Sequence, residues 1–366
     1  MKQALFLLSV PPPVHGASMM GKYLQDSKLI NDCYSITYIN LNTSLSVDEI
    51  GGQGFSKYFR IAGLFFRLLI QLIRVRPEFT YMTPTAGGMG FYKDWPLAML
   101  CKLLSNKFIV HFHNKGVARF HDSGFDDWLY KRFFKNTEVI ILAEELYPDV
   151  SKYVAADRVH ICANGIPTSP LSSGNKPEKA PFTILFLSNL LIEKGLVDLL
   201  KALVLVKSAG IEVKCQIVGG EGDFSSAQLQ EKIDSLGIAD EAVYLGKKYG
   251  EEKDQLIRSA DIFVFPTYYR KECFPLVILE AMSFGLPIIT TGEGGIPSII
   301  QDSINGLIVD SKNPEQLSVA IIKLFKEKDL RSTLGKKALE DFNQKFTVEK
   351  FEKNFLTTIN RALVSK

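Results

Sequence analysis

The stretch "FTILFLSNLLIEKGLVDLLKAL", residues 182 to 203, decides how this chain folds. It begins with a short apolar run, "FTILFLS", rich in branched and aromatic side chains and too short for a buried helix. A loop follows, and then Lys194 and Gly195 open a segment with apolar residues at Leu196, Leu199, Leu200 and Leu203. That spacing is helical, so the stretch predicts strand, loop and helix, the repeating unit of a parallel sheet.

The same alternation recurs on both sides of it. Apolar runs before it are "QALFLLSV", "SITYINL", "FTYMT", "KFIVHFH", "EVIIL" and "RVHIC"; those from it onward are "FTILFLS", "VKCQIVG", "AVYLG", "DIFVFP", "PIITT" and "GLIV". Between the sets, "PTSPLSSGNKPEKAP" has no period and reads as a linker over 167–181. The expected architecture is α/β, two Rossmann-like doubly wound domains at 1–166 and 182–347 facing across a cleft. Ligands of such sheets bind outside the carboxyl ends of the strands, so the active site is expected between the domains. The last segment, 348–366, has helical apolar spacing at Phe351, Phe355, Ile359 and Leu363 and is expected to pack back on the first domain.

Composition narrows the function classes. The chain has 366 residues, 46% hydrophobic and 23% charged, which is ordinary for a globular protein of two domains. A formal charge of +3 is too small to argue for nucleic acid. Cys33, Cys101, Cys162, Cys215 and Cys273 are far apart, with no CxxC pair, so neither a zinc site nor a disulfide framework is indicated, and a reducing, cytoplasmic compartment is expected. The amino terminus, "MKQALFLLSVPPP", reads as strand one in preference to a signal peptide.

Two stretches of the second half look chemical. Lys194 at a helix start suits a diphosphate, because unpaired N–H groups and a partial positive charge collect there. By itself the stretch also reads as a solvated lysine in an ordinary loop. The second is "KECFPLVILEAMSFGLP", residues 271 to 287, in which Glu280 stands inside an otherwise apolar helical run. A carboxylate there needs hydrogen bonds. A pair of ribose hydroxyls would supply them, and so would a salt bridge to Lys or Arg. Phe274, Pro275 and Leu276 form the start of that helix, aimed at the same cleft.

With these residues in view, "ECFPLVILEAMSFGLPIITTGEGGIPSII" resembles the E-x7-E signature of the family-four retaining glycosyltransferases, also described as glycosyl transferases group 1, whose fold is GT-B. Glu272 and Glu280 stand at its two acids. The resemblance extends to "FLSNLLIEKGLVDLL", "QIVGGEGD", "AVYLGKK" and "SADIFVFPT"; in the first half it is confined to "PPPVHGASMM", "HFHN" and "ICANGIP". It implies that Glu280 holds the nucleotide ribose, Glu272 the donor-sugar hydroxyls, and Lys194 the diphosphate. Gly16 would offer a backbone N–H beside that diphosphate, and His113 would sit near the sugar. The family usually has arginine where this chain has Asn189, and Arg270 is a candidate for the missing charge.

The implied reaction moves a sugar from a nucleotide diphosphate, UDP being favoured, to a glycan or lipid-linked acceptor with retention. No cofactor is expected, since the nucleotide sugar is a substrate. No metal is expected either: Asp-x-Asp is absent, "FDDW" at 125–128 reads as the polar side of a helix, and His111, His113 and His121 lack specific metal-site spacing. A GT-B nucleotide-sugar epimerase and a noncatalytic nucleotide-sugar-binding subunit are the competing readings.

Finally, residues 57–76, "KYFRIAGLFFRLLIQLIRVR", carry two apolar groups at helical spacing. Ile61, Leu64, Phe65, Leu68, Leu69 and Leu72 form one stripe suited to the sheet. Phe59, Phe66, Ile70 and Ile73 point elsewhere, beside Arg60, Arg67 and Arg74. Such a helix suits either peripheral contact with anionic membrane or burial on two sides. The arginines interrupt any purely apolar span.

Overall fold

The computed structural model describes residues 1–42, 55–120, 122, 124–168 and 181–365, with the backbone alone for 55–58. Most of the expected linker and His121 therefore lie outside the described residues. The chain divides into two compact units, Met1–Gly165 with Val348–Lys366, and Ile166–Thr347.

The first unit holds β1 (Lys2–Leu8), α1 (Gly16–Asp26), α2 (Lys28–Cys33), β2 (Tyr34–Asn40), α3 (Phe55–Val75), β3 (Phe79–Met82) and α4 (Gly88–Leu104). They are followed by β4 (Lys107–His111), α5 (Val117–Phe120), α6 (Gly124–Phe134), β5 (Glu138–Ile141) and β6 (Val159–Ile161). The strands form one parallel sheet in the order β2-β1-β3-β4-β5-β6. Central β1 is covered on both faces, so Ala4 to Leu8 are all buried, which is why it reads as a continuous apolar run rather than an alternation.

The second unit holds β7 (Phe182–Leu187), α7 (Leu196–Ser208), β8 (Val213–Val218), α8 (Ser226–Ser235), β9 (Ala242–Tyr244) and α9 (Gly250–Ser259). Then come β10 (Ile262–Phe265), α10 (Leu276–Ser283), β11 (Ile288–Thr290), β12 (Leu307–Ile308), α11 (Pro314–Lys326) and α12 (Lys328–Lys345). Its parallel sheet runs β12-β11-β10-β7-β8-β9. Every apolar run singled out in the sequence becomes a strand of one of the two sheets. The strand order reverses at β7, which lies between β10 and β8, and that switch point is where the loops after two adjacent strands diverge.

The last helix, α13 (Val348–Val364), belongs to the first unit. Phe355 packs edge-on against Tyr81 at 5.1 Å, Tyr34 donates to Asn360 Oδ1 at 2.7 Å, and Lys107 Nζ donates to the Ser365 carbonyl at 2.6 Å. Phe351, Phe355 and Ile359 are buried, whereas Leu363 is half-buried and Ala362 takes the inner position. A strict four-residue step overshoots a 3.6-residue turn, so the stripe drifts by the last turn.

Along α3, Leu64, Leu68 and Leu72 are buried while Phe59 and Phe66 are 78% and 61% exposed. Ile70 and Ile73 are exposed as well, with Arg60, Arg67 and Arg74 among them. No described helix is long and apolar enough to cross a membrane. The "FDDW" reading needs correction. Asp126 is buried, not on a polar face, and accepts a 2.7 Å hydrogen bond from Tyr92, because α6 packs on α4 and brings the phenol over it. Asp127 is the solvated member, paired with Lys131 and Lys152.

Candidate active site

The loops leaving β7 and β10 at the switch point are pressed together by a glycine. Gly195 has φ +80°, and a Cβ built on it would lie 2.1 Å from the Pro266 carbonyl oxygen. Only glycine permits both that conformation and that approach. The Tyr268 N–H donates to the Glu193 carbonyl at 2.7 Å and ties the same loops.

This contact brings Lys194 from one loop to Glu272 from the other, Nζ to Oε2 at 2.5 Å. The ammonium also lies over the ring of Tyr269, 4.5 Å from its centroid. Thr267 Oγ1 stands 3.4 Å from the same carboxylate oxygen. Glu272 is buried, and its backbone is fixed from the far side by the loop after β11. Gly294, at φ +60°, would place a Cβ 2.3 Å from the Glu272 carbonyl oxygen, and the Gly295 N–H donates to Cys273 at 2.7 Å. A buried charge pair held this closely by neighbouring backbone is preorganised.

α10 begins just beyond. Phe274 is buried against Phe346, Pro275 caps the helix without a side-chain hydrogen bond, and Leu276 is its first residue. Glu280 lies in its interior. Lys253 on α9 donates to Glu280 Oε1 at 2.8 Å, so the salt bridge open to that acid is formed. The other oxygen, Oε2, is out of solvent and has no hydrogen-bond partner, although about 24% of the whole side chain remains exposed. Burial raises the Glu280 pKa, against the opposing pull of Lys253. An acceptor oxygen thus faces out of water with a donor still wanting.

Asn189 and Arg270 do not play parallel parts. Asn189 Oδ1 accepts from the Gly220 N–H at 3.1 Å, which joins the loops after β7 and β8. Arg270 is exposed and sits by Glu193, whose Oε2 lies 3.4 Å from the Arg270 backbone N–H.

In the first unit, Gly16 is the exposed first residue of α1, whose start is capped reciprocally by His15 and Ser18. His113 follows β4, with its ring 4.3 Å from that of His111. Asn164 is close enough to favour the charged ring, yet neither His113 nitrogen makes a hydrogen bond of acceptable geometry. Burial, with a lesser push from His15, lowers the His113 pKa to about 4, so the ring is neutral at pH 7. The unfolded chain therefore binds the extra proton between pH 6.5 and 4. Stability is full above that window and falls as pH drops through it, by ~3 kcal/mol from His113. Urea unfolding of His113→Gln against the parent from pH 7 to 4 should show a shallower fall in the variant; equal slopes would contradict it.

Lys253, Tyr269 and Thr267 were not marked by the sequence. Lys253 lies in the polar helix "GEEKDQLIRS", where nothing distinguishes it from a solvated lysine. Among the described residues, no group of three or more His, Cys, Asp or Glu side chains could hold a metal ion.

This fold and site define a class. A structure of Anabaena Alr3699/HepE in complex with UDP superposes over 98% of this chain and 100% of its own, with TM-score 0.74 and 17% identity, and the two-sheet architecture is GT-B. The model for glycosyl transferases group 1 matches residues 171–341, most of the second unit. An uncharacterized glycosyltransferase of Methanocaldococcus jannaschii is 26% identical over 248 residues, 64% of this chain and 62% of its own length. The amylovoran biosynthesis glycosyltransferase AmsK of Erwinia amylovora is 26% identical over 232 residues, covering 61% and 56%. The matches thus span about three fifths of these curated relatives.

Proposed function

We propose that the protein is a retaining glycosyltransferase that moves a sugar from a UDP-sugar to a glycan or lipid-linked hydroxyl in cell-surface polysaccharide or glycolipid synthesis. The observation that carries this reading is the Lys194–Glu272 pair at the switch point, one helix start away from the unpartnered Glu280 Oε2. Uridine is favoured because HepE, of the same fold, was solved with UDP.

In this reading ribose hydroxyls donate to Glu280 Oε2, Glu272 orients the donor-sugar hydroxyls, and Lys194 meets the diphosphate. The bond from the anomeric carbon to the phosphate oxygen breaks as the bond from the acceptor oxygen forms on the same face. The acceptor's proton passes to the departing phosphate oxygen. Lys194 and the starts of α7 and α10 stabilise the growing negative charge electrostatically, with no requirement for a metal.

Incubation with UDP-sugars and candidate acceptors in EDTA tests this directly. Transferred sugar of unchanged anomeric configuration is expected. Epimer alone, binding without transfer, or activity only on adding Mg²⁺ or Mn²⁺ would each displace the reading.

The acceptor side is proposed to work at the cytoplasmic face of a membrane. The exposed apolar group of α3, bordered by Arg67 and Arg74, matches anionic headgroups above an acyl boundary. The chain should float with anionic liposomes, and replacing Arg60, Arg67 and Arg74 by Glu should release it. A parent that stays at the bottom, or a triple variant that floats equally, would remove α3 as the anchor.

A further inference from the structure

The loops after β7, β8 and β9 interlock at the carboxyl end of the second sheet. Gly219, at φ +155°, brings its α-carbon so near the first loop that a Cβ would lie 1.8 Å from the Ser188 carbonyl oxygen. The Leu190 N–H donates to Gly220 at 2.7 Å, and the Gly219 N–H donates to Gly246 at 3.0 Å. Gly246, at φ +73°, then turns the chain back after β9.

The turn lays Lys247 across Gly220. A Cβ built at Gly220 would lie 2.4 Å from Lys247 Cε, 3.3 Å from its Nζ and 3.0 Å from Asn189 Oδ1. The lysine ammonium and the asparagine amide therefore flank one α-carbon, where a side chain at 220 would displace them. We propose that Lys247 binds the donor diphosphate, supplying from the loop after β9 the positive charge that the neutral Asn189 does not. This rests on the nucleotide-sugar reading above.

The charge pattern around the sheet end supports the assignment. Lys194 is paired with Glu272, Lys253 with Glu280, and the adjacent Lys248 with Glu252 at 3.6 Å. Lys247 is exposed and forms no ion pair among the described residues. Glu221 is held below its ordinary pKa mainly by hydrogen bonds from Ser226, with Lys247 a smaller contributor. An ammonium without a carboxylate partner can meet a phosphate without first breaking a pair, and lysine serves phosphate as a point charge. Asn189, whose oxygen is engaged by Gly220, has only its neutral amide N–H groups to offer. The Arg270 backbone N–H, 3.4 Å from Glu193 Oε2, ties that residue to the loop after β7.

The test is calorimetric titration with UDP, GDP, ADP and dTDP, each beside its monophosphate, for the parent, Lys247→Ala, Lys247→Arg and Lys248→Ala. The expected result for whichever base binds is a roughly tenfold loss of diphosphate affinity in Lys247→Ala with much less change for the monophosphate. Lys247→Arg should recover most of it, and Lys248→Ala should match the parent. Undiminished diphosphate binding by Lys247→Ala would overturn the assignment while leaving the donor reading intact. Equal loss for mono- and diphosphate would overturn it too, since the site itself would then have been disturbed. A parent that binds none of the four diphosphates would remove both the assignment and the donor reading.

Discussion

Glu272→Gln is expected to lower transfer by roughly 10²-fold or more while nucleotide binding changes only a few-fold. Glutamine keeps the shape and can still reach Thr267, but it removes the negative charge that Lys194 now faces at 2.5 Å. The lysine remains available to the diphosphate, so affinity for the nucleotide should survive. What is lost is the orientation of the reacting sugar and the charge balance of the transition state. Glu280→Ala should behave in the opposite sense, weakening donor binding by removing the acceptor of the ribose hydroxyls and leaving Lys253 unpaired. Steady-state kinetics with direct nucleotide titration separates the two. Near-parental kcat in Glu272→Gln, or parental donor affinity in Glu280→Ala, would defeat the corresponding role.

The second large effect is expected from a residue that carries no chemistry. Gly195→Ala would force a Cβ to within 2.1 Å of the Pro266 carbonyl at a backbone angle of φ +80°. The loop after β7 must then move away from β10, which separates Lys194 from Glu272. A loss of about 2–4 kcal/mol of stability is expected, together with most of the transfer activity. Gly210→Ala is the internal control. Its φ is +73°, but nothing lies within 4 Å of the added carbon, so only the backbone cost of about 1–2 kcal/mol applies and activity should persist. Chemical denaturation of both variants with an activity assay checks this. Equal effects at the two positions would show that the close approach is not what holds the pair.

Much of the second unit could be read before folding because β7, β10 and β11 are buried on both faces and so appear as uninterrupted apolar runs. Glu280 was visible for a related reason, as a carboxylate inside an apolar helix, whereas Lys194 also read as a solvated loop lysine and Glu272 was marked only by the resemblance to the E-x7-E signature. The buried face of α3 followed from its period, and so did its outward Phe59, Phe66, Ile70 and Ile73. Whether a neighbouring helix covered that outer group could not follow, since period gives direction and not company. Asp126 shows the same limit, because an acid in a polar helix turn looks solvated until Tyr92 arrives from another helix.

The sequence by itself determined the strands, their grouping into two sheets, and the residue types set aside for chemistry, because these depend on local period and local exceptions to it. Only the tertiary structure decided the partnerships. Lys194 meets Glu272 across 78 positions of chain and Lys253 meets Glu280 across 27. Lys247 and Asn189 come together on either side of Gly220 from loops 58 positions apart. Each of these depends on strand order and on glycines that let one loop backbone lie against another. Neither is encoded by the spacing of the residues that meet.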